Sequence, residues 1–225
     1  MLGHAALAMW WDIPAPMQKQ FEHWHTHEHI PERLGIPGFL RGTRWGALSG
    51  EPSYFVLYET SVIETLTGGA YLQHLNDPTP WSRKMMPYHH NMVRSLCQVR
   101  ASCGRGLAHG LATVRFSPSP GSAAALADWL AACFLPELPE RPGLTAAHLL
   151  ESQAMDAAQT TEQKIRGRDA TADWILLICG YDVEEVKVVA DDLVNPQALI
   201  AHGALPGAVT GHYRMACSLT SSERP

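Results

Sequence analysis

The sequence predicts an α+β fold built from two tandem β-α-β-β-α-β repeats, and three observations carry that prediction. The 225-residue chain matches itself at an offset of 105 positions, where Trp24 falls on Trp129, Pro31 on Pro136, Glu32 on Glu137, Pro37 on Pro142 and Gly38 on Gly143. The match resumes at an offset of 120, where Tyr54 to Tyr58 lies on Trp174 to Ile178, Glu64 on Glu184, Arg94 on Arg214 and Cys97 on Cys217. The difference between the two offsets is taken up by a polar stretch from Ala154 to Asp169, rich in Gln, Thr and Arg, which reads as an inserted loop. The repeats therefore cover residues 1–103 and 104–225 and meet near Ser102 to Ala108.

Within repeat one the elements follow in order. Ala5 to Ile13 is a short apolar and aromatic segment ended by Pro14 and Pro16, hence a strand. Met17 to Leu34 has helical spacing and stops at Gly35 and Pro37. Phe39 to Leu48 and Tyr54 to Thr60 read as strands around a Ser-Gly-Glu-Pro turn. Val62 to Leu75 reads as a second helix, broken by Asn76-Asp-Pro-Thr-Pro80, and Val93 to Ala101 as a last strand. This order is the split β-α-β, ferredoxin-like unit. Its helices cover one sheet face and leave the other in need of a partner, which a fused second unit supplies.

Composition bounds the function. The chain is 46% hydrophobic with a net charge of −5 and no basic run, so neither a nucleic-acid nor an anionic-membrane surface is expected. No apolar run approaches the roughly 20 residues that span a bilayer. The first residues, Met1 to Trp11, lack the basic flank of a signal peptide. Cysteines at 97, 103, 133, 179 and 217 show no paired metal spacing, which fits a reduced, cytoplasmic protein. The expected partner is a small-molecule substrate, and a homodimer is left open.

The first helix carries the chemistry. Residues 22–29 read Glu-His-Trp-His-Thr-His-Glu-His, whereas the matching segment of repeat two has no histidine. The apolar stripe there, Leu126, Trp129, Leu130, Cys133 and Phe134, maps onto Phe21, Trp24, His25, Glu28 and His29. Three inward positions are thus ionisable in one repeat and apolar in its twin, while His23 and His27 fall on the outer face. A satisfied internal hydrogen-bond network would explain any one buried histidine; three clustered groups point to a pocket. Helical spacing puts Glu28 beside His25 and His29, where a carboxylate would orient the imidazoles and raise their basicity. An ionisation near pH 6 to 7 is then expected in the activity profile. His25 to His29 also satisfies H-x-x-E-H, in which two histidines bind metal, but no third ligand stands in a supporting motif.

Arg41 and Arg44 face Ala146 and Leu149 in the repeat and suggest an anion clamp; their spacing lets only one line the pocket. Trp24 and Trp81 are candidate aromatic walls, and His89 in the segment Met85 to His90 a candidate to reach in from the pocket mouth. No phosphate-cradling or nucleophile-elbow motif is present.

At Phe21-Glu-His-Trp24, His29-Ile-Pro31-Glu and Pro37-Gly-Phe39 the chain resembles the EthD-like branch of the dimeric α+β barrel superfamily, with Phe134 where repeat two would carry the family's histidine. The resemblance implies an intrachain version of that barrel, with His29 pointing into a cavity between sheet and helices. It implies small-molecule enzymes that often lack a cofactor, such as lactone isomerases, polyketide cyclases and monooxygenases, with heme bound through a histidine in other branches. The expectation is a cofactor-independent lyase, isomerase, cyclase or monooxygenase acting on an aromatic, quinonoid or lactone-like substrate. His29 would be the general base, Glu28 its orienting group and His25 a second acid/base or a donor to a developing oxyanion. Two alternatives stand beside it. One is an enzyme dependent on a transition metal or heme ligated by His25 and His29; the other is a non-catalytic binder of a hydrophobic metabolite.

Overall fold

The computed structural model describes residues 1–154 and 159–223, so positions 155–158 of the insertion lie outside the described residues. Repeat one runs β1 (Ala5–Asp12), α1 (Gln18–Trp24), a π-helical turn (His25–His29), α2 (Ile30–Leu34), β2 (Phe39–Ala47), β3 (Tyr54–Thr60), α3 (Gly69–Asn76), α4 (Pro80–Met85) and β4 (His90–Gly104). Repeat two runs β5 (Gly110–Phe116), α5 (Ala123–Asp128), a second π-helical turn (Trp129–Phe134), β6 (Leu144–Ser152), α6 (Thr161–Arg166), β7 (Trp174–Gly180), α7 (Val183–Val188), α8 (Pro196–Ala201) and β8 (Val209–Thr220).

The strands close into one antiparallel barrel in the order β1-β3-β2-β8-β5-β7-β6-β4. Each repeat contributes four neighbouring strands in the same internal order, joined at the β2–β8 and β4–β6 seams. The duplication is visible pair by pair. The ladder from Ala5↔Thr60 to Trp11↔Tyr54 is matched by Gly110↔Gly180 to Phe116↔Trp174, at the offsets read from the sequence. The bulge between Phe39 and Arg41 recurs between Leu144 and Ala146. Gly38 and Gly143 both sit at positive φ, 93° and 95°, which explains why both turns keep glycine.

Three cores result. Side chains from both repeats, among them Trp10, Trp45, Phe55, Leu111, Leu177 and Tyr213, fill the barrel interior. Outside the barrel, the helices of each repeat pack on their own half of the sheet, around Leu7, Phe21, Trp24 and Ile30 in one and Val114, Leu126, Leu130 and Leu149 in the other. The expected missing partner for the open sheet face is therefore the other repeat.

Several elements differ from expectation. The second helix is split into a 3₁₀ turn (Ile63–Leu66) and α3, because Thr67-Gly68-Gly69 is poor helix material. The segment after Asn76 contains α4, started by Pro80 and by Thr79 accepting from the Ser82 N–H. The insertion contains α6, started by a capping box between Thr160 and Gln163. The last strand is longer, spanning His90–Gly104.

Phe55 is fully buried and packs 4.8 Å from Trp10, 5.4 Å from Trp45 and 5.9 Å from Tyr213, which joins the two repeats. Phe55→Ala is expected to cost about 3–5 kcal/mol in urea unfolding and to leave a single transition, because the interior is common to both halves. Two separate transitions in either protein would contradict a shared core.

Candidate active site

The first-repeat cavity lies between the β1 face and the helices, lined by Leu7, Met9, Trp11, Tyr58 and Tyr71 on the apolar side and by His25, His29 and His89 on the polar side. Its enclosed volume of about 30 Å³ has room for about one water. The local helix explains which side chains reach it. Ile30 N–H bonds the His25 carbonyl, an i→i+5 step that widens the turn. His25 and His29 stay buried, at 1% and 6% exposure, with His23 and His27 exposed as expected.

Glu28 is a correction. The widened turn carries it off the buried face, and its carboxylate accepts hydrogen bonds from Trp24 Nε1 (3.0 Å), Thr79 Oγ1 (2.6 Å) and Ser82 Oγ (3.4 Å). It ties the helix to α4 and orients neither imidazole. Glu28 is half-buried there, and its counterpart Cys133, on the matching π turn, is exposed.

Other side chains set the tautomers. Arg44 Nη1 donates to His25 Nδ1 at 3.3 Å, and a guanidinium can only donate. His25 therefore carries its proton on Nε2, a buried donor with no partner among the described residues. His89 Nδ1 faces the Met85 carbonyl at 3.2 Å, which can only accept, so its Nε2 keeps a lone pair. His29 Nδ1 is buried without a hydrogen bond, 3.7 Å from Glu32 Oε2.

Burial holds all three imidazoles neutral. Desolvation is the main cause for each: His25 lies well below the ordinary histidine value, with Arg44 adding to the effect, and His29 likewise, with Arg33 adding. His89 is pushed down to about 3 by burial and then by Arg166. The direction of these shifts runs against the expected ionisation near pH 6 to 7, because burial favours the neutral rings.

The remaining candidates divide. Trp24 packs its ring 4.5 Å from His29 and stands behind it. Arg44 supports His25 and lies over the Phe21 ring. Arg41 pairs instead with Glu59, through Nε at 2.8 Å, and is no part of a clamp on this cavity. Trp81 is half-buried beside His23 on the outer side. Sequence reasoning missed Arg33, Arg94, Arg166 and Glu162, all of which line the cavity.

Among the described residues no group of three or more His, Cys, Asp or Glu is placed to hold a metal ion. A bare metal needing three protein ligands does not fit. His29 Nδ1, a buried nitrogen without a hydrogen-bond partner, has the donor chemistry of a single-imidazole ligand, but a cavity of about 30 Å³ has no room for a heme beside it.

No protein-family model matches the sequence, and no curated protein matches it. Solved structures do match in fold. An anthrone oxidase-like protein aligns at TM-score 0.66 and 11% identity over 98% of this chain and 94% of that one. A candidate monooxygenase of Fusobacterium nucleatum subsp. nucleatum aligns at TM-score 0.61 and 8% identity, over 98% and 96%. A candidate chlorite dismutase aligns at TM-score 0.55 and 9% identity, over 96% of both chains. The chain thus has the ferredoxin-like eight-stranded barrel; these matches do not single out the EthD-like branch. They also overturn the expectation that no cofactor takes part. Oxidase, oxygenase and dismutase reactions are ones that bound cofactors commonly carry, so this fold gives no ground for a cofactor-free assignment.

Neutral burial has a consequence for stability. Below the ordinary histidine value of about 6.5 the unfolded chain takes up protons that the folded chain refuses. Stability is full above that pH and falls as pH drops from there toward about 3, the value for His89. Each imidazole contributes up to about 1.4 kcal/mol per pH unit within the window. Urea midpoints should fall from pH 7 to 5, and His89→Gln should flatten the fall. A midpoint constant across that range would contradict neutral burial.

Proposed function

We propose that the chain is an oxidoreductase of the monooxygenase type, acting on a small organic molecule held in the cleft of about 840 Å³ that adjoins the first-repeat cavity through Leu75 and Arg94 and reaching the histidines from there. The observation that carries this reading is the convergence of His25, His29 and His89 on one cavity, where repeat two places Leu130 and Phe134 on the matching helix positions. The proteins that share the fold, named for oxidase, oxygenase and dismutase activities, support the reaction class without fixing it.

The roles follow from the tautomers. His25 Nε2–H donates to an oxygen of the bound molecule, held in that orientation by Arg44. His89 Nε2 accepts a hydrogen bond from an O–H of the substrate, with Met85 fixing the ring. A redox cofactor bound beside the cavity would supply the electron and oxygen chemistry. The walls of Trp11, Tyr58 and Leu7 keep water out.

His29→Ala should lower oxygen uptake with hydroxylated aromatic substrates about a hundredfold or more with folding intact. His202→Ala, whose ring stacks on Trp129 in repeat two, should leave turnover within about twofold. A fully active His29→Ala protein would contradict the assignment.

A further inference from the structure

The insertion absent from repeat one is built against repeat one's cavity. Ala170 pairs with β4 through Met92 and Arg94, Thr161 N–H donates to Asn76 Oδ1, and α6 lies beside the Met86–Tyr88 turn. Toward the cavity α6 presents a carboxylate: Glu162, 3% exposed, is its buried residue. Glu162 Oε1 accepts from Nη2 of Arg33, which is itself 2% exposed.

The cavity wall carries three guanidiniums, Arg33, Arg94 and Arg166, against the single carboxylate of Glu162. Asp169 takes up Arg166 at 2.8 Å, Glu162 Oε2 lies 3.6 Å from the same guanidinium, and Arg94 donates to the Tyr71 hydroxyl at 3.2 Å. Glu32 lies 3.6 Å from Arg33 Nη1 but is shared with His74, and Nη1 has no hydrogen-bond partner among the described residues. Next to the cavity, sharing Leu75 and Arg94 with it, is a cleft of about 840 Å³ that reaches Thr160 and Gln163. The Arg33–Glu162 pair lines the cavity on which this cleft abuts, together with the histidines.

We propose that the ligand of this site is an organic anion, a carboxylate or phenolate, whose charged oxygen replaces the Glu162 carboxylate on Arg33. The inference rests on the reading of the cavity as a small-molecule site and adds its substrate class. The physical reason is the cost of stranding a charge. A neutral molecule that displaces Glu162 leaves the buried Arg33 guanidinium with only the Glu32 carboxylate at 3.6 Å, which is shared with His74, and that is unfavourable. An anion restores the pair and can use the spare Nη1 donor as well, in the two-pronged geometry that guanidinium and carboxylate share. Arg33 is thus the specificity-determining residue, and Glu162 occupies its site when no ligand is bound.

Equilibrium binding of benzoate and of its neutral isostere benzamide to the full chain, followed by tryptophan fluorescence and calorimetry, tests this without turnover. Benzoate should bind about tenfold or more tighter than benzamide. Glu162→Gln should tighten benzoate about tenfold further and leave benzamide unchanged. The double variant Arg33→Gln/Glu162→Gln, which removes both charges together and so strands neither, should bind the two probes alike. Equal affinities in the wild type, no saturable benzoate binding to either the wild type or Glu162→Gln, or retained anion preference in the double variant would each overturn the proposal. Loss of activity in His29→Ala is read separately, so failure of the anion assignment and failure of the enzyme assignment are distinguishable.

Discussion

Burial beside guanidiniums favours the neutral form of an imidazole, and the chemistry open to the first-repeat cavity follows from that constraint. Arg44 touches His25, and Arg33 and Arg166 surround the same space. Their charge and the surrounding aromatic shell favour the uncharged ring in every case. Neutral rings divide into donors and acceptors according to what holds their other nitrogen. Arg44 makes His25 a donor through Nε2, and the Met85 carbonyl makes His89 an acceptor. A site with a fixed donor and a fixed acceptor is polarised before any ligand arrives.

The barrel makes room for such a costly interior. Its central core is apolar and shared by both repeats, so the histidines sit in a separate layer outside the sheet. Repeat two keeps the same strand register and the same π-helical turn, but fills its helix–sheet layer with Leu126, Leu130, Leu135 and Val189. The helix–sheet layer of repeat one thus buries His25 and His29 where its counterpart in repeat two has Leu130 and Phe134. The insertion then crosses from the apolar half to the polar one, bringing Glu162 and Arg166 to the cavity wall.

Much of this was legible in the residues. The offsets of 105 and 120 reproduce the strand ladders, and the stripe of repeat two identified Phe21, Trp24, His25 and His29 as buried. Glu28 was misjudged because a 3.6-residue period does not hold through an i→i+5 turn, which leaves no mark in residue type. The Arg41 clamp failed because long-range pairing with Glu59 is invisible to local pattern. The role of the insertion was hidden because α6 buries a glutamate where a helix that packs on a core usually buries an apolar stripe. Its one readable sign was the Thr160-x-x-Gln163 capping box. Arg33 likewise reads as a solvated helix residue until Glu162 is brought to it from 129 positions away.

Long-range ¹H–¹⁵N correlation of the histidine rings in the folded protein, followed from about pH 7.5 to 5, tests neutral burial most directly. The account predicts His25 protonated on Nε2 alone, His89 on Nδ1 alone, and no imidazolium from His25, His29 or His89 anywhere in that range. Titration of any of the three with a midpoint near the ordinary value of about 6.5 would contradict it.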